Sequence, residues 1–134
     1  MDVNEAVLLM VRELLSPYTP QLLENAAKML FEYTDKQEDV YRFATFIKTY
    51  RGDPTVAVKK FIYNELETIL GVSVVTYVDA EDLSLKTTPE IFTRFIIQSK
   101  IDIDSYPILK NFLIKKGIST EKIKQLQSDR LEGV

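Results

Sequence analysis

The chain has 134 residues, of which 46% are hydrophobic and 28% charged, with a formal net charge of −3. This composition is typical of one globular domain around a single core. It has no cysteine and no histidine, which excludes disulfides, thiolate metal sites and histidine-based acid–base catalysis. No apolar run reaches the roughly 18 residues of a membrane span, and the acidic start does not resemble a secretory signal. We therefore expect a cytoplasmic protein with no membrane contact, no cofactor, no metal and no small-molecule substrate.

Residues 3–15 predict a first helix, because apolar residues recur at spacings of three and four. We expect this stripe to face the core, with Arg12 and Glu13 on the other side. Thr19 followed by Pro20 predicts the start of a second helix, since a capping residue before proline is typical of helix N-termini. The apolar stripe of the first predicted helix consists of Val7, Leu8, Met10, Val11, Leu14 and Leu15.

Thr34 and Gln37 have the spacing of a capping box, which predicts that a third helix begins at this point. Asp53 followed by Pro54 predicts the N-terminus of a fourth helix, and Gly71 predicts its end. The apolar residues between these two points have the spacing of one buried helix face. They are Val58, Phe61, Ile62, Leu66, Ile69 and Leu70.

Residues 72–78 read VSVVTYV, and such β-branched and aromatic residues favour a buried strand. A turn-prone acidic segment follows, and the alternation in residues 83–87 predicts a return strand. We therefore expect a small antiparallel β-hairpin near residues 72–87. An isolated hairpin is only marginally stable, so helices must cover it or another chain must extend it. The candidate interface residues on it are Val74, Thr76 and Tyr77.

Three further helices are predicted after the hairpin. Thr88 precedes a proline and begins the first, residues 107–116 form the second, and Ser119 caps the third. The predicted fold is therefore mainly α, a single-domain bundle of about six to seven helices with one β-hairpin. The domain covers residues 1–134, with four helices in residues 1–71, the hairpin at 72–87 and the C-terminal helices in residues 88–134.

Residues 107–126 resemble a helix-turn-helix, whose second helix lies in the DNA major groove. Gly117 matches the expected turn, whereas Leu113 and Lys116 depart from the pattern at positions that favour a small and an apolar residue. Residues 105–134 carry six basic and three acidic groups, so this end of the chain is basic. The candidate nucleic-acid contacts are Lys115, Lys116, Thr120, Lys122, Lys124 and Gln125.

Two other interpretations use the middle of the chain. Three helices before a hairpin is the order of a winged helix, with residues 56–70 as recognition helix, but the wing would be acidic and phosphates would repel it. Acidic clusters can also bind Mg²⁺ or Ca²⁺. The two acidic clusters of this chain lack the glycine and the ligand spacing of an EF-hand, and aspartate is common in turns. The two clusters are Asp79, Glu81 and Asp82, and Asp102 with Asp104.

The sequence therefore favours a non-catalytic protein–protein interaction or assembly protein, such as a small helical subunit of a larger complex, including a nucleoprotein complex. Its partner would be another protein or further copies of the same chain. The alternative is a DNA-binding transcriptional regulator that uses residues 107–126. An enzyme that uses carboxylates is a third class, but no residue spacing points to one. Nucleic-acid binding would depend steeply on salt, whereas assembly would give a concentration-dependent mass.

Overall fold

The computed structural model describes residues 1–14 and 18–132, and in these ranges seven α-helices and one short 3-10 helix form. The prediction of a mainly α fold is confirmed. None of the described helices combines the length and the apolar character needed to cross a membrane. The α-helices are α1 (Val3–Leu14), α2 (Pro20–Phe31), α3 (Gln37–Thr49), α4 (Pro54–Leu70), α5 (Pro89–Ser99), α6 (Pro107–Lys115) and α7 (Thr120–Glu132), and the 3-10 helix η1 is Ile103–Ser105.

Side-chain caps form at the predicted helix starts. Thr19 Oγ1 accepts a hydrogen bond from the Leu22 amide at 3.3 Å, and Thr88 caps α5 in the same way. Asp53 Oδ1 accepts from the Thr55 amide at 2.8 Å. Each oxygen satisfies an amide that the first turn of a helix leaves without a partner. The predicted starts of α2, α4 and α5 are therefore confirmed.

The predicted capping box at Thr34 and Gln37 is wrong. Helix α3 begins at Gln37, and Lys36 precedes it without a side-chain cap. Thr34 Oγ1 instead accepts from the Lys36 amide at 3.1 Å and donates to Oδ2 of the buried Asp39 at 2.7 Å. Arg42 donates to the other oxygen of Asp39. The hydroxyl is drawn to Asp39 because hydrogen bonds to a charged acceptor are stronger than those between neutral groups.

The predicted β-hairpin at residues 72–87 is also wrong. Within the described ranges no strand forms, and one isolated antiparallel bridge joins Val78 and Leu85. The Lys86 amide donates to the Tyr77 carbonyl at 2.8 Å beside this bridge. The two ends of the segment therefore meet at one point without forming a ladder of strands. The hairpin that the winged-helix interpretation requires as its wing is absent from the described residues.

The backbone around Val74 explains why the first strand does not form. The amides of Tyr77 and Val78 both donate to the Val74 carbonyl at 2.9 Å, which makes a turn and not an extended chain. The Val74 amide donates to the Glu67 carboxylate at 3.0 Å. A side chain of α4 therefore provides the acceptor that a neighbouring strand would otherwise supply. β-propensity reflects a fit to a half-buried pleated surface, and other tertiary contacts can override it.

The chain divides into two compact units, Met1–Ile62 and Tyr63–Val134, and the boundary falls inside α4. The assignment of residues 1–134 to one domain stays a prediction. In the first unit, α1 packs against both α2 and α3. The rings of Phe43 and Phe61 meet edge to face in its core, with centroids 5.3 Å apart. Its buried apolar residues are Ala6, Met10, Leu23, Ala26, Ala27, Leu30, Val40, Phe43, Ala44, Ile47, Ala57, Val58, Phe61 and Ile62.

The second unit has an aromatic core. Phe92 is fully buried and contacts Phe112 edge to face, with ring centroids 5.9 Å apart. Tyr77 stacks on Phe95 at 4.2 Å, and both rings lie next to Phe92. Helix α5 packs against α7, while α6 packs against η1 and α7. Large rings therefore fill the space between these short elements.

Candidate functional site

Residues 107–126 fold as two helices joined by a tight turn. Gly117 has a φ angle of +74°, in the left-handed region that favours glycine. The Ile118 amide donates to the Leu113 carbonyl and the Gly117 amide to the Ile114 carbonyl, both at 3.0 Å. This pair of hydrogen bonds is a Schellman motif, which ends α6.

Ser119 fixes the start of α7 directly after this turn. Its Oγ accepts a hydrogen bond from the Lys122 amide at 3.1 Å, as the sequence predicts for a capping serine. Helix–Gly–helix geometry is therefore present, and the function of this segment depends on which side chains reach its surface.

The candidate nucleic-acid contacts are not all on the surface. Lys115, Lys122 and Gln125 are exposed. Thr120 is only 8% exposed, so its side chain is not available to a base edge. Lys116 is half-buried, with Nζ 5.4 Å from the centre of the Phe112 ring, and burial lowers its pKa.

Lys124 is engaged by carboxylates. Its Nζ lies 2.9 Å from Asp104 Oδ2 and 3.1 Å from Glu121 Oε1, and the hydrogen bond to Asp104 is the main reason that the pKa of Lys124 is raised. Lys110 Nζ lies 3.1 Å from the other oxygen of Asp104. These acidic partners offset the charge of Lys124, so the predicted residues do not form one continuous cationic surface.

A groove of about 370 Å³ lies between α5 and α7. Its lining combines apolar Ile97 and Leu126 with the exposed cations Arg94 and Lys122. Neither cation forms an ion pair with any residue that the structure describes. Glu90 also lines the groove, so its charge is mixed. The groove can accept an anionic group, but it lacks the uniformly basic lining of a phosphate-binding surface.

The candidate interface residues of the predicted hairpin have different positions. Val74 is fully buried, and its side chain belongs to the core. Tyr77 is half-buried and stacks on Phe95 inside the second unit. Thr76 is exposed. The residues chosen from strand alternation therefore do not share an accessible face, because the alternation itself is absent.

The aspartates in the two acidic clusters accept hydrogen bonds from the backbone, from Ser105 or from lysines. Asp79 Oδ1 accepts from the Glu81 and Asp82 amides at 2.9 and 3.2 Å. The pKa of Asp82 is lowered chiefly by hydrogen bonding to Ser84. Among the described residues, no three acidic side chains converge in a way that would hold a metal ion. These aspartates stabilise turns, which is their ordinary role.

The same kind of bonding holds the cluster before α6. Asp102 Oδ2 accepts from the Ser105 hydroxyl at 2.7 Å, and its Oδ1 accepts from the Asp104 amide at 3.3 Å. The pKa of Asp104 is lowered by its hydrogen bonds to Lys124 and then Lys110. Asp104 therefore ties α6 and α7 together by charge.

Helix α1 presents apolar side chains on two sides, which the sequence analysis did not anticipate. Ala6 and Met10 are fully buried, whereas Leu8 is 55% exposed and Val11 is 45% exposed. The assignment of Leu8 and Val11 to the buried stripe is therefore wrong. Each residue turns the helix by about 100°, which puts Leu8 nearly opposite the line between Ala6 and Met10. Leu15 and the side chain of Leu14, also assigned to that stripe, lie outside the described part of the chain.

Two opposite charges accompany the exposed apolar residues on α1. Glu5 and Arg12 are both exposed, and neither forms an ion pair with a described residue. Glu5 shares a side-chain hydrogen bond with Asp2, whose Oδ1 also accepts from the Glu5 amide at 2.8 Å. They are seven residues apart, which is close to two turns or about 10 Å along the axis, so they lie on one side of the helix. We call Glu5, Leu8, Val11 and Arg12 the outer face of α1.

A signal for the outer face was present in the sequence. Residues 7–11 read VLLMV, and five consecutive apolar residues cover more than half of a helix circumference. Such a run cannot be buried on one side only. What the sequence could not decide was which of the five would face α2 and α3, because that depends on where the small Ala6 allows close packing.

Comparisons of this chain with protein-family models, with curated proteins and with solved structures find no match.

Proposed function

We propose that this chain is a non-catalytic interaction and assembly protein that associates with further copies of itself through the outer face of α1. The observation that carries this proposal is the exposure of Leu8 and Val11 on the side of α1 away from Ala6 and Met10. A helix on the surface of a globular protein normally has one apolar side. A second apolar side favours burial against another molecule.

The residue chemistry supports a non-catalytic role. The 134 residues include no histidine and no cysteine, the usual bases and nucleophiles of neutral-pH catalysis. The buried polar side chains Thr34 and Asp39 bond to each other. Among the described residues, every buried side-chain nitrogen or oxygen has a hydrogen-bond partner. These groups therefore serve the fold.

A DNA-binding regulator that uses residues 107–126 is the second candidate. The tight turn at Gly117 and the exposed Lys115, Lys122 and Gln125 favour it. Against it, residues 63–134 carry 9 basic and 11 acidic groups, a net charge of −2, and acidic partners engage Lys124. Nucleic-acid affinity comes largely from cations that meet phosphates, so this charge balance favours assembly.

The lack of cysteine allows a direct test of which surface is covered. An Asn4→Cys variant carries one thiol at an exposed position of α1, one turn before Leu8, and an Ile114→Cys variant carries one thiol on α6, where Ile114 is 53% exposed. We expect thiol modification of Asn4→Cys to slow several-fold as the protein concentration rises, because association through Leu8 and Val11 covers this neighbouring site. Modification of Ile114→Cys should keep the same rate.

Two results would count against the proposal. Equal and concentration-independent modification of both variants would mean that α1 stays uncovered. Tight, salt-sensitive binding of the wild-type chain to duplex DNA, lost on replacing Lys115 and Lys122 by glutamate, would favour the regulator.

A further inference from the structure

The positions of Glu5 and Arg12 define the geometry of the association. Both side chains are exposed, lie on the same side of α1 and have opposite charges without an ion-pair partner among the described residues. Leu8 and Val11 lie between them along the helix. The outer face therefore has an apolar centre with one negative and one positive end.

We infer that two copies of the chain pair their α1 helices antiparallel, with Glu5 of each copy beside Arg12 of the other. This inference depends on the proposed self-association and adds its orientation. A two-fold axis near the middle of the helix exchanges residues 5 and 12, since both are equally far from a point between residues 8 and 9. Such an interface is self-complementary, as closed dimers require.

Charge disfavours the parallel arrangement. Parallel helices in register would bring Glu5 against Glu5 and Arg12 against Arg12, and like charges placed together oppose association. The antiparallel arrangement replaces both repulsions by attractions. It also sets the two helix dipoles antiparallel, so that the positive end of each helix lies beside the negative end of the other.

The apolar and charged residues have separate roles in this interface. Burial of Leu8 and Val11 supplies the driving force, because removing apolar surface from water is favourable. The charges at the rim stay close to solvent, where they add little affinity but select orientation and partner. The geometry therefore predicts an interface with an apolar centre and two symmetry-related ion pairs.

Charge reversal tests the orientation. We expect Glu5→Arg and Arg12→Glu each to weaken self-association of the full chain about tenfold, because each converts two attractions into two repulsions. The double variant, with the charges exchanged, should associate nearly as well as the wild type. Matched reversals at exposed sites elsewhere, Lys60→Glu and Glu81→Arg, should have little effect.

A mixing experiment makes the result independent of small changes in helix stability. The Glu5→Arg and Arg12→Glu variants, each weakly associated alone, should form a stable mixed dimer, because every cross-contact is then between opposite charges. The measurement is sedimentation velocity of each variant and of the equimolar mixture, with circular dichroism to check that the helices are intact.

The outcomes separate the inference from the proposed function. Association of the wild type with no loss in either single variant, or no recovery in the double variant and the mixture, would overturn the antiparallel arrangement and leave self-assembly standing. A wild-type chain that is monomeric at all concentrations would overturn both.

Discussion

Asp53 links one side chain to the start of α4 and to the pH dependence of stability. Its Oδ1 accepts hydrogen bonds from the amide and the hydroxyl of Thr55, both at 2.8 Å. These bonds lower the pKa of Asp53, the hydroxyl bond being the larger cause. We expect Asp53→Ala to reduce the free energy of unfolding by about 1 kcal/mol at neutral pH, as loss of a helix cap does.

The sign of the pH effect follows from the direction of that pKa shift. A carboxylate whose pKa is lower in the folded state stabilises the fold above its unfolded pKa of about 3.9, and this contribution is lost as the pH falls through the folded value. Urea titrations should therefore show a smaller loss of stability in Asp53→Ala than in wild type between about pH 5 and pH 2. Parallel curves for the two proteins would contradict this role.

Phe61 tests the core of the first unit. It is 4% exposed and lies against the rings of Phe43 and Phe46, at 5.3 and 5.8 Å. Truncation leaves a cavity that the neighbouring rings cannot fill, so Phe61→Ala should cost about 3–5 kcal/mol. Tyr41→Ala is the control, because Tyr41 is 45% exposed. A melting temperature of Phe61→Ala equal to that of the wild type would mean that this ring does not stabilise the core.

At the scale of elements, the turn between α6 and α7 depends on Gly117. A Cβ atom at this position would meet no atom within 4 Å, so backbone strain at φ +74° is the only cost of a side chain. We expect Gly117→Ala to lower stability by about 1 kcal/mol, and Gly117→Asn to lower it less because asparagine tolerates the left-handed region. Equal losses in both variants, measured by chemical denaturation, would mean that strain at φ > 0 is not the cause.

Local rules predict the helices of this chain well and its one non-helical segment poorly. Thr19, Asp53 and Thr88 cap their helices because the bonding atoms lie within three residues of one another. The hairpin prediction failed because the Val74 amide donates to the carboxylate of Glu67, seven residues earlier in α4. Strand propensity contains no information about such a contact. The capping-box prediction at Thr34 failed for a similar reason, since the Thr34 hydroxyl donates to the buried Asp39.

The candidate sites were harder to predict than the helices. The basic residues of α7 were identified from charge and spacing, but the ion pairs of Lys124 with Asp104 depend on how η1 and α7 come together. Leu8 and Val11 were assigned to the wrong side of α1, because an apolar run of five residues has no unique inward direction. Tertiary packing decides such cases.

At the scale of the whole molecule, our central proposal is that copies of the chain assemble through the outer face of α1. The outer face combines exposed apolar residues with charges that complement their own two-fold image. Because carboxylates partly compensate the basic C-terminal residues, we expect that association does not require them.

Sedimentation equilibrium over a range of protein concentrations tests this claim most directly. The wild-type mass should rise from that of the 15.5 kDa chain towards twice that value. The Leu8→Gln/Val11→Gln double variant should stay monomeric, while Ile114→Gln, a change at an equally exposed apolar residue on α6, should behave as wild type. A wild-type mass that stays at one chain at every concentration, or a double variant that associates as wild type does, would contradict the account.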